Sequence, residues 1–176
     1  MGCSVPRTGQ GVGAVPTAAG GPGGWRRQTG AMKTFAEFLP RFEQGIERFL
    51  NGDATLWKSN ASHEADGTIM GAWGDYEKSW GEVALRYDWA ASRFEESGAT
   101  VQFQYLSCGV SGDLAYTVAI ERSSVRIVGQ KQPAAMSLRV THLFRKEQGE
   151  WKLLHRHADP LMSKTTPAVV LRAHAV

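Results

Sequence analysis

The sequence predicts an α+β domain: helices come first, and a meander of long antiparallel strands follows and packs on them through one face. Three observations carry this prediction. Apolar residues between Phe35 and Trp57 recur at three- and four-residue spacing, as on one face of a helix. After Gly98 the spacing switches to two, with Val101, Phe103 and Tyr105 alternating against Gln102 and Gln104. Turn sequences then separate the apolar runs: "SGD" at 111–113, "GQKQP" at 129–133 and "EQGE" at 147–150.

Each element has its own local signals. Phe35, Phe38, Leu39, Phe42, Ile46, Phe49 and Leu50 form the stripe of the first helix, and Thr34 with Glu37 fits a capping box. Pro40 marks either a bend or the true first turn. Gly52 ends the helix, and Asp53 can cap a short second one carrying Leu56 and Trp57. "DGTIMGAWGD" (66–75) reads as a strand and tight turn, and Asp75 as the cap of a third helix with Tyr76, Trp80, Val83, Ala84 and Tyr87 on its apolar stripe. Four strands follow in "TVQFQYLSCGV", "LAYTVAIERSSVRIV", "AAMSLRVTHLFRK" and "WKLLHRHAD".

Composition excludes several function classes. The chain has 176 residues and a formal charge of +3, but Arg7, Arg26 and Arg27 supply that excess within residues 1–32, which hold no acid. The remainder carries 17 basic and 17 acidic residues, so it offers phosphate no electrostatic footprint, and no nucleic-acid partner is expected. Cys3 and Cys108 lack CxxC spacing, so neither a disulfide framework nor a cysteine zinc site is indicated, and Cys108 reads as a structural thiol. No apolar run approaches a membrane span, and the N-terminus lacks a secretory h-region. The expectation is a cytoplasmic protein with no membrane association. Residues 1–32 are Gly-, Pro- and Ala-rich and read as a disordered, dispensable extension, with Met32 as a candidate start. The domain spans 33–162, and 163–176 form a tail.

The order of elements, together with "TIMGAWGDYEKSW", "GVSGDLAYTVAIER", "LRVTHLFRK" and "GEWKLLHRHAD", resembles the SnoaL-like branch of the nuclear transport factor two-like superfamily, which also holds ketosteroid isomerase. The resemblance covers about residues 33–162. It implies a cone, a strongly bent antiparallel sheet wrapped around N-terminal helices (a cystatin-like α+β barrel), with a pocket at the open end and a homodimer as the common state. The superfamily holds enzymes and non-catalytic binding modules alike, so fold does not settle function. Ketosteroid isomerases carry a general-base aspartate at the end of the first strand. Laid on "DGTIMG", that position is Gly71, which cannot take a proton. Asp66, Glu121 and Asp159 are the carboxylates that could replace it.

Strict alternation along "WKLLHRHAD" puts Trp151, Leu153, His155 and His157 on one face and Arg156 on the other. Two readings follow: the histidines line the pocket and handle protons, or they are polar positions on a dimer face or core rim. The resemblance favours the pocket. Of two hairpin registers, one sets Arg139 opposite Arg156, a like-charge pair. The other sets Arg139 beside His157 and Thr141 beside His155, and is expected. The candidate site is therefore Arg139, Thr141, His155 and His157, with Trp73, Tyr76 and Trp80 as apolar wall and Glu121 as a further polar member. His142 with His155 and His157 could chelate, but no third-ligand motif supports it, so no metal and no cofactor are assigned. Leu138, Val140, Phe144 and Leu154 are expected to cover a convex face against a twin. The expected ligand is a small apolar or amphipathic molecule. The expected function is an acid–base isomerase or cyclase, or a binding or self-association module with the same cavity.

Overall fold

The structure is a computed structural model and describes residues 34–164 and 166. The expectations for residues 1–32 and for most of the tail 163–176 lie outside the described residues. Helix α1 (Phe35–Phe49) starts at the expected capping box: Glu37 N–H donates to Thr34 Oγ1 at 3.2 Å, and Thr34 N–H donates to Glu37 Oε2 at 3.0 Å. The helix continues through Pro40. Proline removes the bond to the Ala36 carbonyl, but both residues lie on the exposed side, where water replaces it. The expected stripe is buried, and Phe42 is its centre, fully enclosed, with its ring 5.0 Å from those of Trp57 and Phe144 and 4.9 Å from that of His142. Helix α2 (Thr55–Asn60) crosses close to α1 at Gly45, where a Cβ would lie 2.8 Å from Asn60 Nδ2. Asp53 Oδ1 accepts from Thr55 N–H at 2.8 Å at its start.

Next come β1 (Thr68–Met70), β2 (Glu77–Lys78) and α3 (Trp80–Ala91). The third helix thus begins after Ser79, not at Asp75, and Tyr76 lies outside it, 66% exposed. The reason is the turn: Gly74 and Asp75 both have positive φ (86° and 59°), which reverses the chain and lets β2 pair back on β1.

The remaining strands are β3 (Val101–Ser111), β4 (Leu114–Val125), β5 (Ala134–Glu147) and β6 (Glu150–Pro160). The six form one curved sheet in the order β2-β1-β6-β5-β4-β3. The expectation of an antiparallel sheet needs one correction, because β1 runs parallel to β6. The helices cover the inner face, where Leu138, Val140 and Phe144 are buried. These three therefore do not cover an outer face, as the sequence suggested. The outer face carries Tyr116 and Leu143, about half-exposed, as cross-strand partners.

The β5–β6 hairpin closes at the expected turn, with Glu147 opposite Glu150. Its register sets Thr141 opposite His157 and Arg139 opposite Asp159, two residues from the expected pairing but with the same parity. Between the pairs Phe144–Leu153 and Leu143–His155, Leu154 is an extra residue on β6: a β-bulge.

Replacing Phe42 by Ala leaves a cavity where α1, α2 and the sheet meet. A loss of about 3–5 kcal/mol is expected, measured by urea unfolding.

Candidate functional site

The bulge decides which side chains of β6 face inward. N-terminal to it, Trp151 and Leu153 are buried against the core. One extra residue swaps the parity, so C-terminal to it Arg156 and Ala158 face inward, beside Ile69 of β1. They line a cavity of about 80 Å³ between α1, α3 and the sheet. Its walls are mainly apolar: Ile46, Phe49, Trp57, Phe94, Leu138 and Ala158. Trp73 closes one side, its ring 5.6 Å from that of Trp89 and 5.4 Å from that of Phe94.

The polar floor is an ion pair. Arg156 Nη1 donates to Glu121 Oε1 at 2.8 Å, and Nη2 to Glu121 Oε2 at 2.7 Å. The side chains are 11% and 5% exposed. Burial works against the Arg156 charge, but Glu121's charge and hydrogen bonds outweigh it and hold the pKa above its ordinary value. The guanidinium also lies 5.7 Å from the centre of the Trp57 ring.

Behind the pair, His142 is fully buried on β5. Burial, with the nearby Arg156 charge, pushes its pKa well down, so the ring is neutral. Its Nε2 accepts from Arg156 Nη1. The proton therefore sits on Nδ1, which donates to Thr117 Oγ1 at 3.0 Å. The approach of His142 Nε2 to Glu121 Oε1 (3.6 Å) is accordingly no salt bridge. Tyr87 also lines the cavity, and burial pushes its pKa up to about 12, which keeps the hydroxyl a donor.

A SnoaL-like domain model matches residues 42–163, most of the chain and all of this site. The chain belongs to the SnoaL-like family. No curated protein matches it. Solved structures with the same fold include a nuclear transport factor 2-like superfamily protein from Salmonella enterica serovar Typhimurium (17% identity, covering 74% of this chain and 91% of that one, TM-score 0.63). A Streptomyces avermitilis protein provisionally described as a dehydratase matches at 22% identity, covering 71% and 91% of the two chains, with TM-score 0.57. A Shewanella frigidimarina protein provisionally described as a ketosteroid isomerase matches at 19%, covering 69% and 90%, with TM-score 0.53.

Of the eight residues expected in this SnoaL-like site, Trp73 and Glu121 line the cavity. Trp80 is half-buried and stacks on His63, 3.8 Å between ring centres, and neither it nor Tyr76 reaches the cavity. Arg139, Thr141, His155 and His157 do share one face, but it is the outer one, because the bulge moves the histidines off the face of Trp151 and Leu153. There His155 Nδ1 bonds Thr68 Oγ1 at 2.8 Å, and Asp159 Oδ2 lies 3.2 Å from His157 Nε2 and 3.5 Å from Arg139 Nη2. His142 is on the inner face, so it does not converge with His155 and His157. Among the carboxylates weighed as a base, Asp66 binds Arg145 and Asp159 is on the outer face, which leaves Glu121. Cys108 is disulfide-bonded, not a free structural thiol.

Arg156 and His142 were missed as site members. A signal for Arg156 existed: Glu121 falls in phase with Ala115, Thr117 and Ala119 on β4, and a carboxylate on a core face demands a cation.

Two measurements test this network. Glu121→Ala leaves a buried guanidinium unpaired and is expected to lose about 3–5 kcal/mol, whereas Glu121→Leu with Arg156→Met should lose far less. His142 has its folded pKa below its unfolded value, so its contribution to stability is complete above about pH 6.5 and falls as the pH drops below that. The expected slope is up to about 1.4 kcal/mol per pH unit, and denaturation curves of His142→Gln should lack it. His155, depressed by burial in the same direction, would keep its own smaller part in that variant.

Proposed function

We propose that this domain binds a small apolar or amphipathic molecule in the cavity between α1, α3 and the sheet, with the Arg156–Glu121 pair as the polar anchor at its floor. The observation that carries this reading is the pair itself. Two charges taken out of water on an otherwise apolar wall are an expensive way to hold a fold together, since apolar residues of similar volume commonly do as well or better. A polar group facing an apolar cavity is instead the usual composition of a ligand site.

Turnover has weaker support. Isomerase-type chemistry needs a base beside the substrate's acidic carbon. Both Glu121 oxygens already accept from Arg156. Gly71 does line the cavity at the end of β1, and a Cβ there would meet nothing nearer than Ile69 Cδ1 at 4.0 Å. The position has room for an acidic side chain and carries none. Binding is therefore the first reading. Proton transfer through Glu121 is the second, and it requires Arg156 to release one oxygen. We also propose that a second copy covers the outer face around Tyr116 and Leu143, which light scattering at micromolar concentration would test by reporting a dimer.

The cavity reading predicts that a screen of small apolar compounds by thermal shift finds ligands, and that a ligand at 100 times its Kd stabilises the chain by about 2.7 kcal/mol. Trp73→Ala should weaken those ligands about tenfold with little change in the unliganded melting temperature, because Trp73 is 45% exposed. Hits that bind Trp73→Ala unchanged would place the binding site elsewhere. Turnover assays on the same hits separate the two readings.

A further inference from the structure

The cavity's donors and charges narrow the class of ligand. Its lining carries two guanidinium groups, Arg86 and Arg156, and one carboxylate, Glu121. His142, behind Arg156, is neutral. Arg86 lies over the Trp89 ring at 4.4 Å, and Glu77 approaches its Nε at 3.2 Å from outside the lining.

Arg156 has five N–H donors in a rigid plane. Nη1 gives one to Glu121 Oε1 and one to His142 Nε2, and Nη2 gives one to Glu121 Oε2. Glu121 thus occupies the end formed by the two terminal nitrogens. The remaining two donors, Nε–H and the second Nη2–H, point along the other edge of the guanidinium, parallel and side by side. Neither has a partner among the described residues. β6 lies inside the sheet between β1 and β5, and Arg156 is on its inner face and lines the cavity, so the cavity is where these donors can meet a partner.

A parallel pair of N–H donors is the complement of a carboxylate, whose two oxygens it binds in a fork. A carbonyl or hydroxyl can use only part of it. Arg86 is paired with Glu77 and Arg156 with Glu121, so the free donor edge, not an unbalanced charge, selects the ligand.

We propose that the ligand of this cavity is an apolar monocarboxylate, held through both oxygens by the Nε–Nη2 edge of Arg156 and enclosed by the aromatic walls. The proposal rests on the cavity being a binding site and goes further by naming what enters it. Arg86, paired with Glu77, is the second guanidinium in the lining. Glu121 keeps the guanidinium plane fixed, and His142 holds the outer Nη1 donor, so the free edge is presented in one orientation.

The test uses the full chain and two matched series: benzoate, benzamide and benzyl alcohol, then hexanoate, hexanamide and hexanol. Calorimetry should show each carboxylate binding at least tenfold tighter than its amide or alcohol. Arg156→Lys keeps the charge but removes the fork, and should erase that preference. Should that variant fail to fold, the wild-type chain still decides. In ¹⁵N NMR, the Arg156 Nε–H resonance should shift on adding a carboxylate and stay in place with the amide. Equal affinity for carboxylate and amide, a preference that survives in Arg156→Lys, or an unmoved Nε–H resonance would each overturn the monocarboxylate while leaving the cavity as a binding site. If neither series binds while unrelated apolar hits from the screen do, the carboxylate assignment fails alone. If nothing binds and Trp73 fluorescence never changes, the cavity reading fails with it.

Discussion

The extra residue in β6 is the constraint on which the site depends. Along a regular strand the four residues from Trp151 to Leu154 would fix the face of every residue after them, and His155 and His157 would follow Trp151 inward. With Leu154 unpaired, the inward series becomes Trp151, Leu153, Arg156, Ala158. Two imidazoles leave the core face and one guanidinium enters it. β1 then docks in parallel on this strand with Ile69 beside Arg156, which carries Gly71 and Trp73 to the cavity wall.

Once inside, Arg156 ties the central strands together. Thr117 and Glu121 belong to β4, His142 to β5 and Arg156 to β6, and the hydrogen bonds pass between them in a continuous chain. In this chain the neutral His142 has one donor and one acceptor, and both are used. A buried network of this kind is stable in one register only, because any slip leaves charged groups unpaired in a low dielectric. An apolar stripe would tolerate a two-residue slip, since Leu138, Val140 and Phe144 could exchange places at modest loss. The polar chain therefore fixes the alignment of β4, β5 and β6, and the same groups form the floor of the cavity.

This division explains what was legible in the sequence. The capping box of α1, its aromatic stripe, the short α2 behind Asp53 and the hairpin across "EQGE" all rest on interactions within a few residues, and each stands where the spacing put it. The parity relation of Arg139, Thr141, His155 and His157 was legible too. Which face they occupy was not, because a bulge has no fixed residue signature: Leu154 is apolar, as a regular strand residue would be. The third helix was misplaced because Asp75 caps as readily as it turns. Its left-handed φ depends on β2 finding β1, a tertiary event. The parallel pairing of β1 with β6 spans more than eighty residues and leaves no local trace.

The backbone around the cavity mouth supports the same emphasis on one wall. Between β1 and α3 the chain turns at Gly74 (φ 86°) and Asp75 (φ 59°), then enters the helix through Ser79 at φ 74° and ψ 152°, a region that residues with a side chain rarely occupy. Such a conformation costs on the order of 1–3 kcal/mol and persists only where neighbours over-determine it. Here Ser79 N–H donates to the Gly67 carbonyl at 2.9 Å, and Arg86 donates to the Gly74 carbonyl at 3.1 Å. Both bonds anchor the segment that carries Trp73, and the second uses one of the two cations in the cavity lining. Arg86 therefore joins two parts of the wall: its Nη2 fixes the turn, its Nε meets Glu77, and its side chain lines the cavity.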